Sequence, residues 1–150
     1  QEMVDFLNNF VEQMPKNRPR YLMGVGTPLD ILQGIRAGLD MFDCVLPTRN
    51  ARNGQAITKV GPLSIKREEF KEDKRALDPL CSCQVCHTHS RAYIRHLFMV
   101  NEYTAGTLLT YHNIHFYLQM MRDVRTSILQ KRFDDYYQEF YKSYTMFSTI

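Results

Sequence analysis

Hydrophobic positions over residues 2–14 recur at helical spacing: Met3, Val4, Phe6, Leu7, Phe10, Val11 and Met14 share one face. Pro15 and the polar run Lys16–Arg20 end that helix. The apolar run Tyr21–Gly26 then reads as a buried strand closing on glycines. Thr27-Pro28-Leu29-Asp30 reads as a helix start, with a capping hydroxyl, a proline in the first turn and an acid at the positive end of the dipole. Ile31, Leu32, Ile35 and Leu39 form its buried face, and Gly38 loosens its end. Met41–Pro47 is a second apolar strand, interrupted by Asp43. Helix, strand, helix, strand with short connections is the rhythm of βα units, and so of a parallel sheet. Two such strands are too few for a closed barrel.

After Pro47 the pattern changes. Residues 48–54 read as a polar loop, and Gln55–Thr58 with Pro62–Lys66 as a hairpin around Gly61. The stretch 67–80 is charged and irregular. A helix is predicted over Ser90–Asn101, with Tyr93, Ile94, Leu97 and Val100 on its apolar face. Another runs from about His112 to Leu129, with Ile114, Tyr117, Leu118, Met121, Val124 and Ile128 in register. The aromatic-rich tail from Phe133 to Tyr144 is also read as helical.

Composition places this pattern in a globular class: 44% of the 150 residues are hydrophobic and 23% charged. No apolar run approaches the ~18 residues of a membrane span, so a cytoplasmic protein is expected. The chain starts within an amphipathic segment and without an initiator methionine, which is read as a fragment of a longer protein. The net charge of +3 is mild. Its distribution is more informative. Arg49, Arg52, Lys59, Lys66, Arg67, Lys71, Lys74 and Arg75 face Glu68, Glu69, Glu72 and Asp73, leaving 8 − 4 = +4 over this stretch. Such a charge run is ordinarily a solvated surface; its place around an arginine-bearing loop raises the nucleic-acid reading.

Three cysteines fall within six residues, Cys81-Ser82-Cys83-Gln84-Val85-Cys86. Neighbouring C-x-C thiols are poorly placed to bridge one another. Three thiolates on one tight turn suit a tetrahedral metal needing one further ligand. His87, His89, His96, His112 and His115 are the candidates. His87 adjoins Cys86 and would strain the tetrahedron, whereas His112, at a helix start, can fold back onto the turn. An iron–sulfur cluster also accepts thiolates, but one histidine and no further distal cysteine favour zinc. With four protein ligands the role is structural. Cys44 is left over as a core residue.

Asp43 is the other oddity. A carboxylate in an apolar strand costs several kcal/mol unless it is compensated or exposed at the strand's end. In parallel α/β folds, strand C-termini are where catalytic groups collect. The alternative is that Asp43 caps the following loop or pairs with Arg49 or Arg52. Asp40, beside Gly38-Leu39, suits a turn. Gly24-Val25-Gly26 could bring backbone N–H groups to a phosphate or base, or simply make a tight turn. Met23 could stack on a ring or join the core.

Tyr21–Gly26, Asp40–Gly54, Leu77-Asp78-Pro79 leading into Cys81-x-Cys83-x-x-Cys86, Ser90-Arg91-Ala92-Tyr93 and His112-Asn113 together resemble the tRNA-guanine transglycosylase family. The motifs run in order over roughly residues 20–141, and the arginine-rich segment and cysteine turn are independent signatures. The resemblance implies an α/β fold, the C-terminal portion of a TIM (β/α)8 barrel with an inserted zinc-binding subdomain. It divides the chain into 1–54 (the last βα units of the barrel), 55–111 (hairpin and zinc insert) and 112–150 (closing helices). It implies exchange of a guanine in the tRNA anticodon for a 7-deazaguanine base. By position, Asp43 is then the catalytic nucleophile on ribose C1′, Met23 and Gly24 bind the base, and Arg49 and Arg52 contact the tRNA anticodon loop. Cys81, Cys83, Cys86 and His112 hold one structural Zn2+. A cytoplasmic homodimer is also implied for the full-length enzyme.

The departures from the family pattern are specific. The second catalytic Asp, its Ser-Gly-Gly-Phe segment and the polar residues gripping the base edge are absent from this chain, so it is expected not to turn over alone. Thr27 stands where a bacterial relative often has Lys. The competing readings are a non-catalytic zinc-containing paralogue that supports a catalytic partner, and a free-standing RNA-binding zinc module. Retention of Asp43 and the arginines argues against the first, and the preceding βα units argue against the second.

Overall fold

The computed structural model describes Leu7 and residues 9–145 of the chain. The chain divides after Leu46 into two compact units.

In the first unit, helix α1 (Pro28–Arg36) begins where Thr27 caps it: Thr27 Oγ1 accepts from the Asp30 backbone N–H at 3.2 Å. It ends through N–H bonds from Ala37 to Gln33 O and from Leu39 to Gly34 O, with Gly38 at φ 102° supplying the left-handed turn. Ile31 and Leu32 are buried as expected. Gly34 is where the Phe42 ring comes against the helix, at 2.7 Å from where a Cβ would stand. Strands β1 (Tyr21–Leu22) and β2 (Met41–Phe42) pair in parallel, Tyr21 opposite Met41 and Leu22 opposite Phe42. Leu22 and Phe42 pack against the Leu7–Val11–Leu39 cluster.

Two expectations are corrected here. The strands are two residues long rather than six or seven, and they are not buried: Tyr21 and Met41 face outward. A uniformly apolar run does not show where pairing stops. Gly24, at φ 72°, turns the chain immediately after Met23, which is 74% exposed and so is no core residue. Of the helix read over residues 2–14, residues 2–6 and 8 lie outside the described residues; Leu7 and residues 9–11 are helical, and residues 12–14 form a turn instead.

The second unit opens with helix α2 (Leu46–Arg52), where a polar loop was expected. Pro47 suits a first helical turn, nothing before Gly54 breaks the run, and fully buried Ala51 anchors it to the core. Polar residues here mark an exposed helix face, not a loop. The hairpin β3 (Gln55–Thr58) and β4 (Gly61–Ser64) is antiparallel with Lys59-Val60 at its tip. A single 3-10 turn, Glu68–Phe70, interrupts the irregular stretch that follows. Helices α3 (Gln84–Thr88), α4 (Arg91–Met99, capped by Ser90), α5 (Tyr103–Leu129) and α6 (Phe133–Thr145) complete the unit. Ile65, Leu77, Ile94 and Leu109 are fully buried at its centre.

Helix α5 starts nine residues earlier than read from periodicity, and a different face is buried. Leu109, His112, Asn113, Phe116, Met120 and Val124 point inward. Of the face expected to be buried, Ile114, Leu118 and Ile128 are exposed, and Val124 alone is fully buried. The helix carries apolar residues on more than one side, so periodicity could not choose between them. On α4, Ile94 and Leu97 are buried as expected while Tyr93 and Val100 are exposed. Helix α6 buries Tyr137, Phe140 and Tyr144, with Phe140 and Tyr144 stacked at 5.3 Å; burial pushes the Tyr144 hydroxyl up to about 12.

Candidate functional site: a carboxylate, an arginine helix and a thiol–imidazole cluster

Because β1 and β2 are parallel, their C-termini lie at the same end of the pair. Asp43 follows β2 directly, and Met23-Gly24 follow β1. Side chains alternate along a strand, so Met41 and Asp43 share a face, and Tyr21, opposite Met41, is a diagonal neighbour of Asp43. The Tyr21 hydroxyl donates to Asp43 Oδ1 at 2.6 Å, and the Gly24 N–H donates to the same oxygen at 3.1 Å. The Tyr21 bond first, and the Gly24 bond second, hold the Asp43 carboxyl below the usual carboxylate range. The same contact raises Tyr21, which therefore stays protonated as a donor. The carboxylate is thus both exposed and compensated, the condition its place in an apolar run demanded.

The remaining residues around it are structural. Asp40 Oδ2 accepts from Arg20 N at 2.8 Å and ties the two strand starts together. Cys44 packs against Gly26, where an added Cβ would stand 2.0 Å from its sulfur.

In the second unit, Arg49 and Arg52 lie three residues apart on α2, so both project from one side of the helix. Both are exposed. The helix is fixed from beneath by Asn113, which is completely buried on α5. Its Nδ2 donates to Pro47 O at 2.9 Å and to Gln55 O at 3.1 Å, while its Oδ1 accepts from Ile57 N at 2.8 Å. One amide thus fastens the start of α2 and strand β3 to α5.

The preceding residue, His112, is also wholly buried. Its Nε2 lies 2.9 Å from Ile57 O; a carbonyl only accepts, so the proton is on Nε2 and the Nδ1 lone pair faces the cysteines. Nδ1 lies 3.5 Å from Cys83 Sγ and 3.4 Å from Cys86 Sγ. The Cys81, Cys83 and Cys86 sulfurs and the His112 nitrogen all fall within 4.8 Å of one another. A tetrahedral ion with bonds of about 2.1–2.3 Å needs ligand separations of ~3.4–3.8 Å, so the donor set and its spacing fit a metal. The turn is preorganised, with the Cys86 N–H directed to Cys83 Sγ at 3.4 Å.

The electrostatics agree. Contacts with Cys81 and Cys86 push the Cys83 thiol down, and contacts with Cys81 and Cys83 push Cys86 up, as for crowded thiols that compete for one proton. Burial opposes protonation of His112, but the thiol contacts prevail and raise it to about 9. Such a cluster needs positive charge, as proton or metal. His115 reaches Ser82 Oγ at 3.4 Å, and His89 stacks on Tyr93; neither belongs to the cluster.

Three positioning residues were missed from sequence. Tyr21 was detectable once its register with Asp43 was known, and Asn113 directly follows His112. Arg91 is the third. Its guanidinium donates to Asp73 Oδ2 at 3.2 Å and to Leu77 O at 2.9 Å, and lies over the Phe70 ring at 5.3 Å, so it orders the segment leading into the cysteines. It stood in the Ser90-Arg91-Ala92-Tyr93 motif, but nothing in that motif pointed to Asp73 or Leu77 as its partners.

Comparison with known proteins covers the stretch in which these residues lie. A family model described as queuine tRNA-ribosyltransferase matches residues 1–146. The queuine tRNA-ribosyltransferase of Nitratidesulfovibrio vulgaris is 54% identical over 139 residues, covering 93% of this chain and 37% of its own length. Those of Fusobacterium nucleatum and Helicobacter acinonychis are 47% and 46% identical over 144 and 145 residues, covering 96% and 97% of this chain. The chain therefore spans somewhat more than a third of the length of these relatives. Among the described residues, no helix is long and apolar enough to cross a membrane.

Proposed function

Since the chain belongs to the queuine tRNA-ribosyltransferase family, we propose that it is the C-terminal part of a tRNA-guanine transglycosylase and supplies that enzyme's covalent nucleophile. Asp43 attacks ribose C1′ of the target nucleotide and guanine departs. An incoming 7-deazaguanine then attacks the same carbon and releases Asp43. This parallels a retaining glycosidase, with a heterocycle in place of water. The observation that carries the reading is the exposed Asp43 carboxyl group directly after a parallel strand, with Oδ1 accepting from Tyr21 and Gly24.

Met23 and Gly24 contact the base. Exposure of the Met23 side chain, and the open space around the α-carbon of Gly24, suit that role. Arg49 and Arg52 read anticodon-loop bases, through stacking and forked hydrogen bonds. Cys81, Cys83, Cys86 and His112 (through Nδ1) hold one Zn2+, whose charge would offset the crowded thiolates and pin the cysteine turn to α5. Residues 1–54 are the last βα units of a TIM barrel, 55–111 the hairpin and zinc insert, and 112–150 the closing helices. The full-length enzyme is a cytoplasmic homodimer, and the isolated chain, lacking the acid/base residue, is inactive.

The test is a covalent trap on the full-length protein, with anticodon stem-loop RNA and denaturing electrophoresis. A shifted RNA–protein band that disappears in Asp43→Asn is expected. RNA binding with no shifted band would instead favour a non-catalytic subunit.

A further inference from the structure

The nucleophile's neighbour across the strand pair has no part in the chemistry described so far. Resting on the reading of Asp43 as nucleophile, we propose that Tyr21 is a positioning residue. It clamps Asp43 Oδ1 so that Oδ2 attacks ribose, and it biases the covalent intermediate toward release.

The geometry assigns the two oxygens different roles. The Tyr21 hydroxyl at 2.6 Å and the Gly24 N–H at 3.1 Å both converge on Oδ1, and Oδ2 takes part in neither bond. Neither donor is accidental. Tyr21 is set on the same face as Asp43 by the parallel register, and Gly24 directs its N–H there from a positive φ that glycine adopts without strain. The other charged groups nearby are engaged elsewhere: Asp40 Oδ2 accepts from Arg20 N, and the Arg20 guanidinium donates to Gly38 O and Met14 O. Tyr21 is the titratable side chain in contact with Asp43.

The chemical consequence follows from how the acceptor strength of Oδ1 changes. In the first step the Oδ2–C1′ bond forms and the C1′–N9 bond breaks; the electron pair goes to guanine, which takes a proton from a general acid outside this chain. Oδ1 is then an ester carbonyl, a weaker acceptor than a carboxylate oxygen. In the second step the N9 of the incoming base, deprotonated by a general base, bonds to C1′, and the C1′–Oδ2 pair returns to Asp43. Oδ1 regains its charge and the Tyr21 bond regains its strength. A donor that binds the carboxylate better than the ester stabilises Asp43 as leaving group and keeps the adduct from becoming a trap. Tyr21 holds its proton throughout.

The experiment measures the ratio of covalent RNA adduct to free enzyme at fixed guanine concentration, across a pH series, in the full-length protein. Tyr21→Phe is expected to raise that ratio, on the order of three- to tenfold, and to move the acid limb of adduct formation to higher pH. Replacing Tyr21 by 3-fluorotyrosine, a stronger donor, is expected to lower the ratio below wild type. A wild-type ratio and acid limb in both variants would overturn the proposal, as would loss of thermal stability with neither moving. Asp43→Asn is run in parallel: an adduct that survives it sinks the nucleophile reading itself. Loss of adduct there with no response at Tyr21 sinks only the present inference.

Discussion

The Nε2–H of His112 donates to the carbonyl oxygen of Ile57 at 2.9 Å, so the histidine that faces three thiols is oriented by the backbone of strand β3. Neither residue is close to the other in sequence. The bond turns Nδ1 toward the thiols and makes the thiol–imidazole cluster and the hairpin parts of one structure.

Metal removal is expected to unfold the region around that bond. The full-length protein should carry about one zinc per chain, and Cys83→Ser or His112→Ala should lose it together with a fall in melting temperature. Elemental analysis and calorimetry check this; a metal-free protein with unchanged melting would contradict it.

Asn113→Ala should destabilise the protein by about 2–4 kcal/mol, because Ile57 N would be left buried, and Pro47 O and Gln55 O part-buried, without this partner. Asn113→Asp should be at least as destabilising at neutral pH, since a buried carboxylate oxygen would face Pro47 O and Gln55 O in place of the amide donor. Urea denaturation midpoints give the order.

The Asp73 carboxyl is held well below the usual carboxylate range, first by Arg75 and then by Arg91. A carboxyl lowered by folding contributes stability that is present above its unfolded value of about 3.9 and is lost as pH falls below it. The wild type should therefore lose stability below about pH 4 more steeply than Asp73→Asn. Acid titration followed by circular dichroism distinguishes the two. Arg91→Ala should cost about 1–2 kcal/mol through loss of its bonds to Asp73 and Leu77 O, since Asp73 keeps its contacts with Arg75.

Gly26→Ala should cost about 1–3 kcal/mol, since the new methyl would meet Cys44 Sγ at 2.0 Å and Cys44 Cβ at 2.2 Å. Cys44→Ala should not rescue it, because the Cβ clash remains, whereas Cys44→Gly should. Thermal melting of the two double variants decides.

Arg52→Ala should weaken anticodon stem-loop binding by about tenfold, as for one lost contact of roughly 1–3 kcal/mol. Fluorescence anisotropy on the full-length protein provides the check, and unchanged affinity would remove Arg52 from the interface.

What was legible in the sequence was what depends on local chemistry. The Thr27-Pro28-Asp30 start of α1, the hairpin around Gly61 and the start of a helix at Ser90 each follow from residues within one turn of the event. The cysteine turn was legible because C-x-C-x-x-C admits few uses; among the histidines the residues alone set aside only His87, and the choice of His112 came with the family resemblance. Long-range geometry was not legible. The apolar run Met41–Pro47 contains no mark of where pairing ends, so a two-residue strand followed by a carboxylate and a helix looked like one long strand. Helix α5 is apolar on several sides, and its inward face is set by His112 and Asn113, whose partners lie 55 to 66 residues earlier. Arginines 49 and 52 looked like loop residues because an exposed helix face and a loop have the same composition.

The clasp at Asn113 also has a consequence for synthesis. Pro47, Gln55 and Ile57 emerge from the ribosome well before the amide that fastens them. At about 5–20 residues per second, α2 and the hairpin must wait several seconds for their partner. During that interval β3 and β4 form an isolated hairpin, marginal in water by itself, with its exposed edge available to wrong partners. Completion of this unit is therefore timed by translation of α5, and slow codons between residues 64 and 113 would lengthen the period in which the nascent chain needs a chaperone.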